Sequence, residues 1–567
     1  MLDSNLGQAV KSGLLAGVVA ASVSAIGMVE AFDQRALIIG VLSLGQLLLF
    51  ATPLIVGYIV SNPAKEGMTK GLALVNGAVA GLMTAVPVIG LILLFLAWPD
   101  VRNALVNVSP VLINILTFGQ GPVLGSLILT AVMTILGLLG AGLHLLPERF
   151  ERPLLYATLW TLGLGLFSEI LINILRNINA PRQILSVFFG TNGITPIAAI
   201  IVFAITFFFY LWWESHGSAN YKARAASRTD EQKKRNRLLV LITSAIFVLL
   251  MPWILGIYLT EVLDIVGIFI LMGLGLNIVV GYAGLLDLGY VAFFAIGAYM
   301  MGLLTTTGDL SIAGLSFWAA LPIAVGTATL AGIILGIPVL RMRGDYLAIV
   351  TLGFGEIIRV LAVSDLLKGT IGGAQGVLSI GKPQILSFTF VEPRHFYYLI
   401  LAGVMLALFV SSRLRDARLG RQWMAMREDE DVAEAMGIRL VNTKLLAFAM
   451  GATFSGLAGA IFASRIGSIF PSSFNLLISI NVLSLIIVGG LGSLPGVILG
   501  AFVLVGLPEL LREFSEYRLL FYGILLIATM LLRPEGLWPS PIRKRELHAE
   551  LDDFDEGENQ PDVHYMA

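Results

Sequence analysis

Runs of about 20 uninterrupted apolar residues follow one another along almost the whole chain, as in LLVLITSAIFVLLMPWILGIY at 238–258. Such a run has no hydrophilic face to offer water. In hydrocarbon every backbone N–H and C=O must be satisfied internally, which leaves helices or a closed barrel. Continuous runs, without the alternation of a barrel strand, point to helices. Composition agrees: 57% of the residues are hydrophobic, 13% are charged, and mean hydropathy is +0.88. A soluble domain carries about 25% charged residues.

The net charge of −1 conceals segregation, because the charges sit between the apolar runs. The chain has no cysteine, which excludes disulfides, thiolate nucleophiles and Cys-based metal sites. Its five histidines are scattered, with no HExxH spacing, so a zinc enzyme has no motif to stand on. The N-terminal stretch has a weakly charged start and an Ala-rich segment near Ala20–Ser22. Further apolar runs follow directly, so it reads as a retained first helix.

The first half contains six candidate spans, near 10–28, 36–60, 69–97, 123–146, 153–176 and 194–213. Residues 214–237, ESHGSANYKARAASRTDEQKKRNR, then break the pattern as a polar, basic linker. Ten more spans follow, near 238–258, 263–281, 287–304, 317–340, 346–364, 396–412, 444–464, 476–489, 496–511 and 518–533. The expected fold is an all-α polytopic bundle of about sixteen spans. Its expected parts are a membrane extension (1–213), the cytoplasmic linker (214–237), a second membrane domain (238–540) and an acidic, disordered tail (541–567).

Lys and Arg clusters mark the cytoplasmic side. With 214–237 inside, alternation places Lys65, Lys70, Arg149 and Arg152 inside, together with the N-terminus. It also places Arg341, Arg343, the basic loop Arg413–Lys444 (with Arg415, Arg418, Arg421, Arg427 and Arg439) and the tail's Arg543, Lys544 and Arg545 inside. One orientation accommodates every strong cluster.

Three features of the second half can carry function. Glycine-rich breaks interrupt the apolar runs at 273–289, which holds Asn277 and Asp287, and at 489–500. Broken helices beside polar residues suit the lining of a pathway, and small residues equally suit close helix packing. Gly492, Gly496 and Gly500 recur every four residues and read as a packing face, with Pro495 at its start. Glu356 lies roughly 16 Å along a helix that begins at Asp345. That is mid-bilayer depth, where a charge faces protein or water, and Arg359 at i+3 can pair with it. It reads either as a structural ion pair or as part of the solute path.

The cytoplasmic segment 421–438, RQWMAMREDEDVAEAMGI, reads as a short helix. Acids gather at its start, where the helix dipole favours them, and Gly437 is placed to end it. Val432, Ala433, Met436 and Ile438 lie between charges and suit a partner's groove or packing on the bundle itself. No energy source is visible in the chain. Gly376–Lys382 has the GxxxxGK spacing, but Pro383 stands where Ser or Thr would ligate Mg²⁺, and the segment falls in the longest external loop of the second half, about 365–395.

Four stretches resemble the LivM-type permeases of bacterial branched-chain amino-acid ABC transporters: LGLNIVVGYAGLLDLGYVAFFAIGAY (274–299), RMRGDYLAIVTLGFGEIIRV (341–360), REDEDVAEAMGIRLVNTKLLAFAMGATFSGLAGAIFA (427–463) and SLIIVGGLGSLPGVILGAF (484–502). The resemblance implies a transport subunit without catalysis of its own, in a prokaryotic plasma membrane. It implies a LivH-like second permease, two cytoplasmic ATPase subunits carrying ATP and Mg, and an extracytoplasmic solute-binding protein. It aligns 427–438 with the family's coupling segment, at Glu428, Asp429, Ala433, Gly437 and Ile438, beside Arg427, Val432 and Met436. Branched-chain amino acids are the expected solutes; permeases for urea and short amides look similar. A secondary transporter without an ATPase is the reading from another class. A membrane-embedded enzyme lacks a convergent His, Asp or Ser set. The resemblance ends near residue 235, and 1–213 carries only a topology; its polar stripe Glu169, Asn173 and Arg176 reads as snorkelling at a span end.

Overall fold

A computed structural model describes residues 2–62, 69–98, 103, 105–190, 193–213, 230–339, 342, 344–510 and 517–540. The residues expected at Lys65, Arg341, Arg343, most of the basic linker and the whole of 541–567 lie outside that set. The chain divides into two compact units, Met1–Val248 and Leu249–Ala567. Among the described residues each is helical, and the strands form two short hairpins. Among the described residues nine helices are long and apolar enough to cross a membrane, or ten if a bent pair is one span. Every apolar run expected to span carries helix.

In the first unit, Leu2–Ala25, Leu44–Val60, Lys70–Ala97 and Pro122–Leu143 pack on one another. Glycines sit where their backbones come closest. A Cβ at Gly57 or Gly77 would strike the Gly137 carbonyl, and one at Gly81 the Met133 carbonyl. Small residues allow backbones to approach where lipid supplies no hydrophobic drive for association. Two expectations change here. Residues 36–43 form the hairpin Ala36–Ile38 with Leu42–Ser43, so the helix starts at Leu44. Ser43 caps that helix by accepting the Gln46 N–H. The run 153–176 is two helices, Glu148–Leu166 and Ser168–Asn177, bent by 67°. The buried Arg35 donates to the Leu166 carbonyl exposed at this bend (2.7 Å) and lies 3.9 Å from Glu169.

In the second unit Leu440–Ile466 is the most enclosed long helix. Phe317–Val339 and Val291–Thr305 pack along it. A Cβ at Gly459 would meet the Phe294 carbonyl, one at Gly297 the Gly456 carbonyl, and one at Gly456 the Ala328 side chain. Arg465, at the end of this helix, pairs with the fully buried Asp264 at 2.9 Å. The unit division falls inside Asp230–Leu276, a helix interrupted at Gly256 by φ 81°. This helix runs into a π-helix, Asn277–Tyr282, and then into irregular backbone before Val291.

Candidate functional site

The segment 421–438 is not one helix. Arg418–Glu428 and Glu430–Ala435 are separate helices with Asp429 extended between them (φ −155°). The Asp429 carboxylate explains the break, because it accepts the N–H groups of Asp431 (2.8 Å) and Val432 (3.0 Å) and so caps a new helix. Arg427 and Glu428 therefore belong to the preceding helix. Gly437 ends the short helix with φ 89°, where its N–H bonds the Glu434 carbonyl and Ile438 bonds Ala433.

The short helix has two faces. Ala433 is buried against the bundle, while Val432 (59% exposed) and Met436 (81%) point outward. Beneath it, Glu430 pairs with Lys444 at 2.8 Å, and Lys444 is buried. A buried charge is tolerated only when paired, so this contact fixes the short helix to the start of Leu440–Ile466. Trp423, wholly buried, donates its indole N–H to the Thr443 carbonyl (2.8 Å) and fixes the preceding helix to the same place. Neither Trp423 nor Lys444 stood out in the sequence as part of a site; a lysine inside the start of an apolar run was the available signal.

Arg427 reaches the broken helix. Its guanidinium donates to the Gly281 carbonyl inside the π-helix at 2.9 Å and lies 3.3 Å from Glu428. Gly284, at φ 70°, leaves room for it, since a Cβ there would sit 2.6 Å from Arg427 Cγ. π-Turns leave carbonyls outside the regular ladder, and Arg427 satisfies one of them. Asn277, the first residue of the π-helix, ties it to a second turn by accepting the Gly492 N–H on its Oδ1 (2.9 Å). A Cβ at Gly281 would collide with that oxygen. Arg427, Gly281, Asn277 and Gly492 thus form one connected set.

The expected pathway residues separate into two environments. Asn277 and Asp287 are fully buried. Asp287 accepts the Gly289 N–H on Oδ1 (3.0 Å); its Oδ2 and the Asn277 Nδ2 have no hydrogen-bond partner among the described residues. Both sit inside the packed second unit. The Asp287 turn is held to the helix Asp345–Val363, where Thr351 Oγ1 accepts the Leu288 N–H at 3.0 Å. Further along that helix Glu356 and Arg359 pair at 2.8 Å and stand at the surface, 38% and 41% exposed. A recess of about 10 Å³, lined by Tyr299, Ile358, Arg359 and Phe474 among others, adjoins them.

The glycine series also divides. Gly496 and Gly500 lie on Leu494–Ala501 and press on the Gly489 and Leu485 carbonyls of Leu476–Gly489. Gly492 does not share that face. It occupies the turn before the helix at φ 76°, because its N–H is needed by Asn277. In the first unit, Glu169, Asn173 and Arg176 line an open cavity of about 1270 Å³ with Arg182 and Ser186.

Comparison with known proteins gives this geometry its context. The family model described as "Branched-chain amino acid transport system / permease component" matches residues 258–530. The high-affinity branched-chain amino acid transport system permease protein LivM of Escherichia coli (strain K12) is 42% identical over 324 residues, covering 53% of this chain and 75% of the relative. LivM of Salmonella typhimurium is 43% identical over 295 residues, covering 48% and 68%. LivH of Escherichia coli (strain K12) is 24% identical over 298 residues, covering 48% and 92%. No solved structure matches the chain. The family match starts at residue 258, and the broken helix, the Glu356–Arg359 pair and the short capped helix all fall inside it. The chain belongs to the LivM-type permease family of branched-chain amino-acid transport systems.

Proposed function

We propose that this chain is the membrane permease subunit of an ABC importer for branched-chain amino acids, and that it works as half of a pair with a LivH-like permease. Separate cytoplasmic ATPase subunits, carrying ATP and Mg, would dock on Glu430–Ala435, and an extracytoplasmic binding protein would deliver the solute. Both chain termini would lie in the cytoplasm. The observation that carries the docking is the two-faced short helix: Ala433 and the Glu430–Lys444 pair hold it down, and Val432 and Met436 are presented outward. A rigidly mounted helix with apolar anchors suits a groove on a partner.

In this reading, closure of the ATPases displaces the short helix. Arg427 passes the displacement to the π-helix at Gly281, and Asn277 passes it to the turn at Gly492. A π-turn absorbs such a shift at low cost, because its hydrogen bonds are already irregular. The solute path would run along the outer face of Asp345–Val363, where Glu356 and Arg359 stand half exposed at mid-helix. The test is the double variant Val432→Ala/Met436→Ala in the assembled complex. ATP hydrolysis should no longer drive uptake, with the chain still in the membrane; unchanged uptake would remove the docking assignment.

A further inference from the structure

Residues 383–391, PQILSFTFV, contain no charge. They form a hairpin in which Gln384–Ile385 pairs with Phe388–Thr389, so Leu386 and Ser387 make the turn. Leu386 is at φ 55° and 94% exposed. A left-handed conformation costs a branched residue about 1–2 kcal/mol, and a two-residue turn of this kind favours glycine there. Ile385, Phe388 and Val391 are exposed beside it. Neither backbone preference nor water accounts for a leucine at this tip.

Two anchors set the level at which the hairpin lies. The Trp318 indole N–H donates to the Gln384 carbonyl at 2.8 Å, and Trp318 is in the first turn of Phe317–Val339. Phe388 meets His395 edge-on at 4.7 Å, and Phe390 packs on Phe396 at 6.4 Å, both in the first turn of Pro393–Asp416. Both helices are long and apolar enough to cross a membrane. The hairpin therefore lies where they enter it, at the end of Pro393–Asp416 opposite the short capped helix. Trp253 and Tyr398 meet near the same entry, with the indole N–H donating to the phenol oxygen at 3.0 Å. Tryptophan and tyrosine gather at the bilayer interface. The same two helices carry exposed apolar faces beyond the hairpin, at Ile323, Leu330 and Ile334 and at Met405, Leu406 and Phe409. Both helices and the hairpin thus present exposed apolar side chains.

We propose that the hairpin Gln384–Thr389 is an interfacial anchor that inserts Leu386 and Phe388 into the lipid leaflet on this side of the membrane. Its depth is that of other interfacial elements, roughly 5–10 Å into the headgroup–acyl boundary. The anchor steadies a cap. The loop that carries it bonds Val377 to Ile469 through a backbone bridge, and Gly381 donates to Thr305 Oγ1 at 3.2 Å. These contacts close the ends of Val291–Thr305 and Leu440–Ile466.

The absence of native cysteine makes the test direct. A spin label on Leu386→Cys, in the full chain within lipid nanodiscs, is compared with one on Asp309→Cys in a neighbouring exposed loop. The proposal predicts that the label at 386 collides with oxygen, which partitions into lipid, in preference to a water-soluble nickel chelate, and that the label at 309 shows the reverse. A label at 386 that behaves like the one at 309 overturns it. Low accessibility to both reagents also overturns it, because protein would then cover the tip. Phe388→Cys carries the same prediction should Leu386→Cys fail to insert.

Discussion

Arg427→Ala separates transmission from docking. Arg427 lies off the short helix, on the helix before it, and its guanidinium holds the Gly281 carbonyl at 2.9 Å in a partly buried site. Hydrogen bonds with a charged partner contribute about 1.5–3 kcal/mol. Losing one of about 2 kcal/mol corresponds to roughly thirtyfold in the equilibrium it biases. Arg427→Ala should therefore leave the complex assembled and basal ATP hydrolysis near normal, while uptake per ATP falls by an amount approaching that factor. Arg427→Lys keeps the charge but loses the planar fork, and should lie between the two. The assay is uptake and phosphate release measured together on the same vesicles. Wild-type uptake per ATP in a fully assembled Arg427→Ala complex would refute transmission through Gly281, and would leave docking at Val432 and Met436 untouched.

The Val432→Ala/Met436→Ala variant removes two exposed anchors at about 0.8 kcal/mol per methylene covered by a partner. ATPase affinity for the permease pair should fall by at least tenfold, measured by co-purification against salt-matched controls. Gly500→Ala should lower thermal stability by about 1–3 kcal/mol, because its Cβ would enter the Leu485 carbonyl. Gly353→Ala, where a Cβ meets no atom within 4 Å, should leave the melting temperature unchanged in the same detergent scan.

Spans were legible because the bilayer demands long apolar runs, and such runs survive any error in local detail. The breaks at 273–289 and 489–500 were legible through glycine. What joins them was not: Arg427 and Gly281 are 146 residues apart, and no pattern in either segment names the other. The division at Asp429 was hidden because an acidic residue suits a helix's first turn and an N-cap alike. Residues 36–43 read as helix because their apolar run is too short to separate by periodicity from the helix after it. Gly492 shares the i+4 spacing of Gly496 and Gly500, but spacing alone cannot tell a helix face from the turn before it. Asn277 and Asp287 were recognised as unusual polar residues in an apolar setting, and the structure places them in the packed interior, while the Glu356–Arg359 pair reaches the surface.

In the proposed function this permease moves branched-chain amino acids only when separate ATPases drive it. The direct measurement is uptake of labelled leucine by vesicles containing this chain, its LivH-like partner and the binding protein, with and without the ATPase subunits. Accumulation should depend on ATP and disappear when either the ATPases or this chain is left out. Accumulation that persists without the ATPases under an imposed ion gradient would contradict it.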